Sequence, residues 1–319
     1  MKNFRKARAS TAGAWPKDLL AISDLSPEQA RDLLRLAQHV KESPGSYHAA
    51  LAGRHAVLLF EKPSLRTRLT FEIGMTTLGG TASFVDCQNQ RLGERESIKD
   101  IARNLERWCS VVVVRTFAQA NLEELARNAS IPVINALSDF EHPSQVLADM
   151  LTLQERWTDL ASHKVAYVGD PNNVSNSLMH VCAMLGIHFI LVSPPGYEAP
   201  QACYRRAQQA AKESGGSVEL SHDFAHLFGA DVIYTDVWAS MGQEDQVEKK
   251  RRDFAPYRVT EQLMRRAGKN AYFMHCLPAH RGEEVVDSVL DGPRSLAFDQ
   301  AENRLHVHKA LLLKALRHS

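Results

Sequence analysis

The chain has 319 residues, 44% hydrophobic and 24% charged. That composition excludes a disordered, collagenous or fibrous protein and, at about one domain per 100–200 residues, implies two domains. Its 38 basic and 37 acidic residues leave a formal net charge of +1, so the whole-chain field gives no reason to expect nucleic acid or an anionic membrane as partner. From the amino terminus, Lys2, Arg5, Lys6, Arg8 and Lys17 form a basic arm without an apolar stretch, read as a solvated arm rather than a secretory signal. Ser26-Pro27-Glu28-Gln29 then reads as a helix start, with a capping serine, proline at the first helical position and glutamine at the third; the helix ends before Ser43-Pro44-Gly45.

Short β-branched runs at 55–60, 81–86, 110–115 and 132–136 read as strands, with helices near 66–78, 95–108, 119–128 and 143–156. A second series has strands near 164–169, 187–193, 231–235 and 271–275, helices near 173–185, 199–213 and 244–253, and a last helix near 306–317. Strands separated by single helices imply right-handed crossovers. The fold class is therefore α/β, two doubly wound parallel-sheet domains joined by the helix at 143–156, with the C-terminal helix returning to the first domain. Domain one is placed at 1–149 plus 300–319 and domain two at 150–299. No apolar run reaches the roughly 18 residues of a membrane span. Five scattered cysteines show no metal or disulfide pattern and imply reduced thiols in a cytoplasmic protein.

Open parallel sheets bind ligands beyond the carboxyl ends of their strands, so the strand-exit loops are where chemistry is expected. The first, Glu61 to Arg68, opens a helix whose N-terminal N–H groups favour an anion, and it offers Ser64, Arg66, Thr67 and Arg68. The plainer reading, Ser64 as a simple cap with solvated arginines, stands beside it. No glycine-rich nucleotide loop follows any strand, so no dinucleotide cofactor is expected; no metal is expected either, because fixed cations and helix N-termini already offset an anion's charge. Arg115 ends a buried strand, and His142 with Gln145 sits at the start of the linking helix. Together with Lys62, Arg66 and Arg68 these residues suit a small, doubly charged acyl phosphate. Asp236 suits a substrate ammonium, and Cys276 sits beside a proline at another strand exit.

Ser64-Leu65-Arg66-Thr67-Arg68, His142-Pro143-Ser144-Gln145, Asp236 with Ser240-Met241-Gly242, and His275-Cys276-Leu277-Pro278 together resemble the ornithine carbamoyltransferases, in order and in spacing, from about Asp24 to Ala315. The resemblance implies transfer of a carbamoyl group from carbamoyl phosphate to the δ-amine of L-ornithine, giving L-citrulline and phosphate, and a homotrimer. Carried over residue by residue, carbamoyl phosphate falls to Ser64, Leu65 through its backbone, Arg66, Thr67, Arg115, His142, Gln145, Cys276, Leu277 and Arg304. Ornithine falls to Asn173, Asp236, Ser240 and Met241. Cys276, Arg115, His142 and Thr67 are the expected catalytic set, with Cys276 as a thiolate near the attacking amine and the 240–242 loop closing over the substrate. The reaction is expected in the cleft between the domains.

Arg91 stands where the family often has glutamine, so that contact is not carried over, and Pro171 replaces a frequent glycine in the loop of Asn173. Competing readings are a carbamoyltransferase for acetylornithine, putrescine or aspartate, and a catalytically silent homologue with a binding role.

Overall fold

The structure, a computed structural model, describes residues 13–239 and 246–317. Its contacts divide the chain into two compact units, 1–138 with 306–319, and 139–305. The sequence predicts these limits at 149/150 and 299/300. Among the described residues, no helix is long and apolar enough to cross a membrane.

The first unit holds strands β1 (His55–Phe60), β2 (Thr81–Asp86), β3 (Val111–Arg115) and β4 (Val133–Leu137), all parallel in the order β2-β1-β3-β4. β1 and β3 are nearly continuous apolar runs because helices cover both faces of a parallel sheet, whereas β2 lies at the edge and is largely exposed. Helix α1 (Pro27–Glu42) precedes β1, and α2 (Leu65–Thr77), α3 (Ile98–Trp108) and α4 (Gln119–Asn128) connect the successive strands. α1 starts as its sequence predicts: Ser26 Oγ accepts from the Gln29 N–H, and Gln29 returns a carbonyl to the Ser26 N–H. α3 begins later than 95 because Ser97 is the residue that caps it.

The second unit holds β5 (Lys164–Val168), β6 (His188–Val192), β7 (Ser217–Ser221), β8 (Val232–Thr235) and β9 (Tyr272–His275), parallel in the order β7-β6-β5-β8-β9. Its helices are α5 (Pro143–Gln154), α6 (Asn173–Leu185), α7 (Gln201–Ser214), α8 (Val247–Phe254), α9 (Glu261–Ala267) and α10 (Asp287–Leu290), followed by α11 (Ala297–Arg317). The polar edge strand β7 and the short α9 carry too weak a pattern to read from sequence. α11 starts nine residues before the expected 306 because its first half is polar, and its last part belongs to the first unit. Every residue of α5 from Pro143 to Leu153 is buried, so this helix has no solvent face.

Winding reverses between β1 and β3 in one sheet and between β5 and β8 in the other. A crevice opens at such a point because the two flanking connections leave on opposite faces. The loops after these four strands begin at Glu61, Thr116, Gly169 and Asp236. Gly169 has φ +143°, and a Cβ there would sit 3.2 Å from Thr235 Oγ1, so the close approach of β5 and β8 at the crevice requires glycine.

Candidate active site

In the first unit, Ser64 caps α2. Its Oγ accepts from the Thr67 N–H at 3.3 Å and donates to Thr67 Oγ1 at 2.9 Å. The capping role and the anion role are therefore compatible: Leu65 and Arg66 open the helix while the Ser64 and Thr67 hydroxyls lie beside its positive end. Thr67 is buried, Arg66 half-buried and Leu65 exposed. Arg115, buried, ends β3. Lys62 is also buried, with its ammonium 4.2 Å from the centre of the Phe117 ring.

Holding these loops is Glu61, which sequence reading did not single out. Register pairs Phe60 with Arg115, so the next residues, Glu61 and Thr116, leave the sheet side by side. The buried Glu61 carboxylate accepts from the Thr116 hydroxyl, from the Phe117 N–H at 2.9 Å and from the Leu92 N–H at 2.7 Å.

Arg68 departs from expectation. Its Nε pairs with Glu72 at 3.1 Å and its guanidinium stacks 3.9 Å from the Phe84 ring centre, which commits it to the outer surface of α2 rather than to a phosphate.

In the second unit, His142 caps α5 and its N–H donates to Ser177 Oγ at 2.9 Å. Gln145, fully buried, donates through Nε2 to Asp149 Oδ1 at 2.8 Å, and its Oε1 meets no donor among the described residues. Arg304 is buried on α11.

Register between β8 and β9 pairs Thr235 with His275, so Asp236 and Cys276 leave the sheet as neighbours. Cys276 Sγ donates to Asp236 Oδ1 at 3.1 Å. The same carboxylate accepts from the Val237 N–H and, through Oδ2, from Asn172 Nδ2, each at 2.8 Å. The partner on this loop is thus Asn172, the cap of α6, while Asn173 is the first residue of that helix.

His275 accepts the Leu277 N–H on Nδ1 at 2.9 Å, which leaves Nε2 to carry the proton toward Glu284 at 3.2 Å. Leu277 itself takes φ +58°, a left-handed turn that this hydrogen bond spans. The expected contacts Ser240 and Met241, and the closing loop, lie outside the described residues.

The expected thiolate is not what this environment makes. Burial, then the Asp236 carboxylate, push the Cys276 thiol well above its usual value, so the group is a neutral donor. A cation placed on Asp236 would weaken the second cause. Burial likewise raises Asp149 to about 6, and raises Asp170, which faces Lys250 at 2.6 Å, to about 6. Among the described residues, two clusters each bring their donor atoms within 4.8 Å of one another and could share a cation, Asp236 with His275 and Cys276, and His280 with Glu283 and Glu284. In both sets donors are already engaged, Cys276 with Asp236 and His275 with Glu284.

Residues 17–155 match the family model described as aspartate/ornithine carbamoyltransferase, carbamoyl-P binding domain, and residues 161–315 match its Asp/Orn binding domain. The ornithine carbamoyltransferase of Shewanella oneidensis is 46% identical over 297 residues, covering 93% of this chain and 98% of that protein. Among solved structures, the ornithine carbamoyltransferase from Pyrococcus furiosus is similar with a TM-score of 0.92 and 44% identity, over 97% of this chain and 100% of that one. An acetylornithine transcarbamylase complexed with acetylcitrulline is similar with a TM-score of 0.85 and 30% identity, over 94% and 99%.

Proposed function

The chain belongs to the aspartate/ornithine carbamoyltransferase family, and from that premise we propose that it transfers the carbamoyl group of carbamoyl phosphate to the δ-amine of L-ornithine, releasing L-citrulline and phosphate. The observation that carries the substrate choice is Asp236. It is a buried carboxylate held by Asn172, Val237 and Cys276, and four lone-pair sites leave room for one further donor. A free α-ammonium fits there; an acetylated one carries no charge to offset the carboxylate.

We assign the phosphate to Ser64, the Leu65 backbone, Arg66, Thr67 and Arg304, where the α2 N-terminus and the guanidinium forks match its charge and geometry. Arg115, His142 and Thr67 serve the carbonyl oxygen, which becomes negative when the amine adds to the carbamoyl carbon; one such donor is typically worth about 2.7–4 kcal/mol in the barrier. Gln145 Oε1 faces the carbamoyl amino group, a donor, and Leu277 contacts the same moiety. Asn173, Asp236, Ser240 and Met241 receive ornithine.

The δ-amine, with a pKa of about 10 like a lysine, must shed a proton before it attacks. The C–N bond then forms, the C–O bond to phosphate breaks, and the remaining proton leaves the nitrogen. Cys276 contributes as a thiol, hydrogen-bonded to the carboxylate that holds the substrate.

A cytoplasmic setting is supported by five cysteines that remain thiols. The homotrimer is what the family membership implies; exposed Leu65, Leu69 and Ile73, an apolar stripe at i, i+4 and i+8 on α2, and exposed Val85 on β2 offer apolar surface for contact between copies.

Incubating the protein with carbamoyl phosphate and, separately, ornithine, acetylornithine, putrescine and aspartate tests the reading. Citrulline from ornithine alone supports it. Product from another amine alone overturns the substrate, and no product from any amine overturns the reaction. Arg66→Ala should keep its circular dichroism and melting temperature yet lose transfer, and near-normal turnover would remove the phosphate assignment.

A further inference from the structure

Asp149 lies one turn after Gln145 on α5, fully buried, and its carboxylate is a meeting point of donors. Oδ1 accepts from Gln145 Nε2 and from Gln300 Nε2, each at 2.8 Å, and Oδ2 accepts from the Tyr234 hydroxyl at 3.0 Å. The other end of Gln300 accepts the His275 N–H at 2.9 Å. The roles proposed above use Gln145 and the segment after His275 but leave Asp149 without one.

The arrangement is directional. A backbone N–H requires an oxygen, so Gln300 shows Oε1 to His275 and Nε2 to Asp149. An ionised carboxylate only accepts, so Gln145 must also present Nε2, which turns its Oε1 the other way, buried and with no donor among the described residues. We infer that Asp149 is a positioning residue: it holds the Gln145 carbonyl open to the carbamoyl amino group and, through Gln300, ties that setting to the backbone of His275-Cys276-Leu277. A flipped Gln145 would set one amino group against another and repel the ligand. This inference rests on the carbamoyl-transfer reading.

Ionisation keeps the setting. Burial opposes the charge while the two amides, the Tyr234 hydroxyl and Arg304 favour it, leaving Asp149 at about 6. The titratable and charged groups that face it are Tyr234 on β8, Arg304 on α11, Cys182 on α6 and Cys276 after β9, with Asp236 beyond Tyr234. Tyr234 and both thiols are raised well above their usual values and do not titrate in the same range. Once protonated on Oδ2, Asp149 still offers Oδ1 to both glutamines but without the negative charge, so its hold on their orientation weakens.

The experiment compares two ligands on the full-length enzyme by calorimetry from about pH 5 to 8. Phosphonoacetamide, which replaces the bridging oxygen of carbamoyl phosphate with a methylene, carries the amide; inorganic phosphate does not. Gln145→Ala supplies the baseline for titration of the ligands themselves. Relative to that baseline, the wild-type preference for phosphonoacetamide should fall about tenfold between about pH 7 and 5, the value of one hydrogen bond. Asp149→Asn should show a reduced preference that no longer depends on pH, and Gln145→Ala combined with Asp149→Asn should lose no more than Gln145→Ala alone. A wild-type preference parallel to the baseline, or additive losses in the double variant, overturns the inference. Should Asp149→Asn fail to fold, the wild-type and Gln145→Ala series decide alone. Absence of any wild-type preference at neutral pH together with absence of citrulline would instead overturn the carbamoyl-transfer reading.

Discussion

Glu61→Ala is the sharpest perturbation of the first unit. The side chain is 3% exposed, and its carboxylate accepts the Leu92 N–H at 2.7 Å, the Phe117 N–H at 2.9 Å and the Thr116 hydroxyl. Hydrogen bonds to a charged group contribute about 1.5–3 kcal/mol each, and an unmet buried donor costs about 1–3 kcal/mol. Three donors, one of them on a half-buried residue, place the loss at about 3–6 kcal/mol, a large share of the 5–15 kcal/mol typical of a folded protein. Glu61→Gln keeps the volume but turns an amino group toward one of those donors, so it should lose about half as much. The protein has two compact units, and one melting temperature would blur them. Hydrogen exchange at the amides of Leu92 and Phe117 reads the event where it happens, and urea midpoints give its global size. Because Lys62 follows Glu61 and Arg115 precedes Thr116, the Michaelis constant for carbamoyl phosphate should rise in parallel. Unchanged exchange at both amides with an unchanged urea midpoint would refute the clamp.

Asp236→Asn should raise the Michaelis constant for ornithine far more than that for carbamoyl phosphate, and it should let Cys276 react with iodoacetamide at lower pH, since the carboxylate is the second cause holding that thiol neutral. Equal effects on both substrates, or an unshifted reactivity profile, would count against the ammonium role. Lys250→Met leaves Asp170 buried without its 2.6 Å partner and should cost about 3–5 kcal/mol at neutral pH. The sign with pH follows from the folded value of about 6 against the ordinary 3.8: the native state binds more protons between them, so the stability Asp170 contributes falls as pH rises through that window. Losing the lysine raises the carboxyl further, so the gap between variant and wild type should shrink as pH is lowered below about 6 in urea titrations. A gap that widens in acid would contradict this.

Much of the architecture was legible because its signals are local. The β-branched runs of β1 and β3, the Ser26 capping box and the proline after His142 each specify an element within a few residues. What escaped has equally physical reasons. β7 reads Ser-Val-Glu-Leu-Ser, a strand whose edge position leaves it half polar. The first half of α11 buries Gln300, Asn303 and Arg304, so its helical period is written in polar residues that hydropathy does not register. Asn172 was within reach, since Asn172 with Ser175 has the spacing of a helix-capping box. Asp149 had a weaker local trace, the Gln145 to Asp149 step of one helical turn, which on an exposed helix would be a trivial surface pair. Only burial makes it a constraint.

The charge state of Cys276 was beyond reach for a different reason: it is set by burial and, after that, by a residue forty positions away. Parallel register does this work twice. In the first sheet it carries the pairing of Phe60 with Arg115 one step outward to Glu61 and Thr116; in the second it carries Thr235 with His275 outward to Asp236 and Cys276. In each case an acid leaving one strand meets a hydroxyl or thiol leaving the next, and the hydrogen bond that forms fixes two loops with no neighbourhood in sequence. The sequence shows that strand exits are where polar residues collect. Which exits are adjacent depends on strand order, and which residues of adjacent exits touch depends on register, so a one-residue slip of β9 against β8 would bring His275 or Leu277 to Asp236 in place of the thiol. The chemistry of this site is therefore a property of the register, and the side chains that read as separate candidates along the chain become a site only through it.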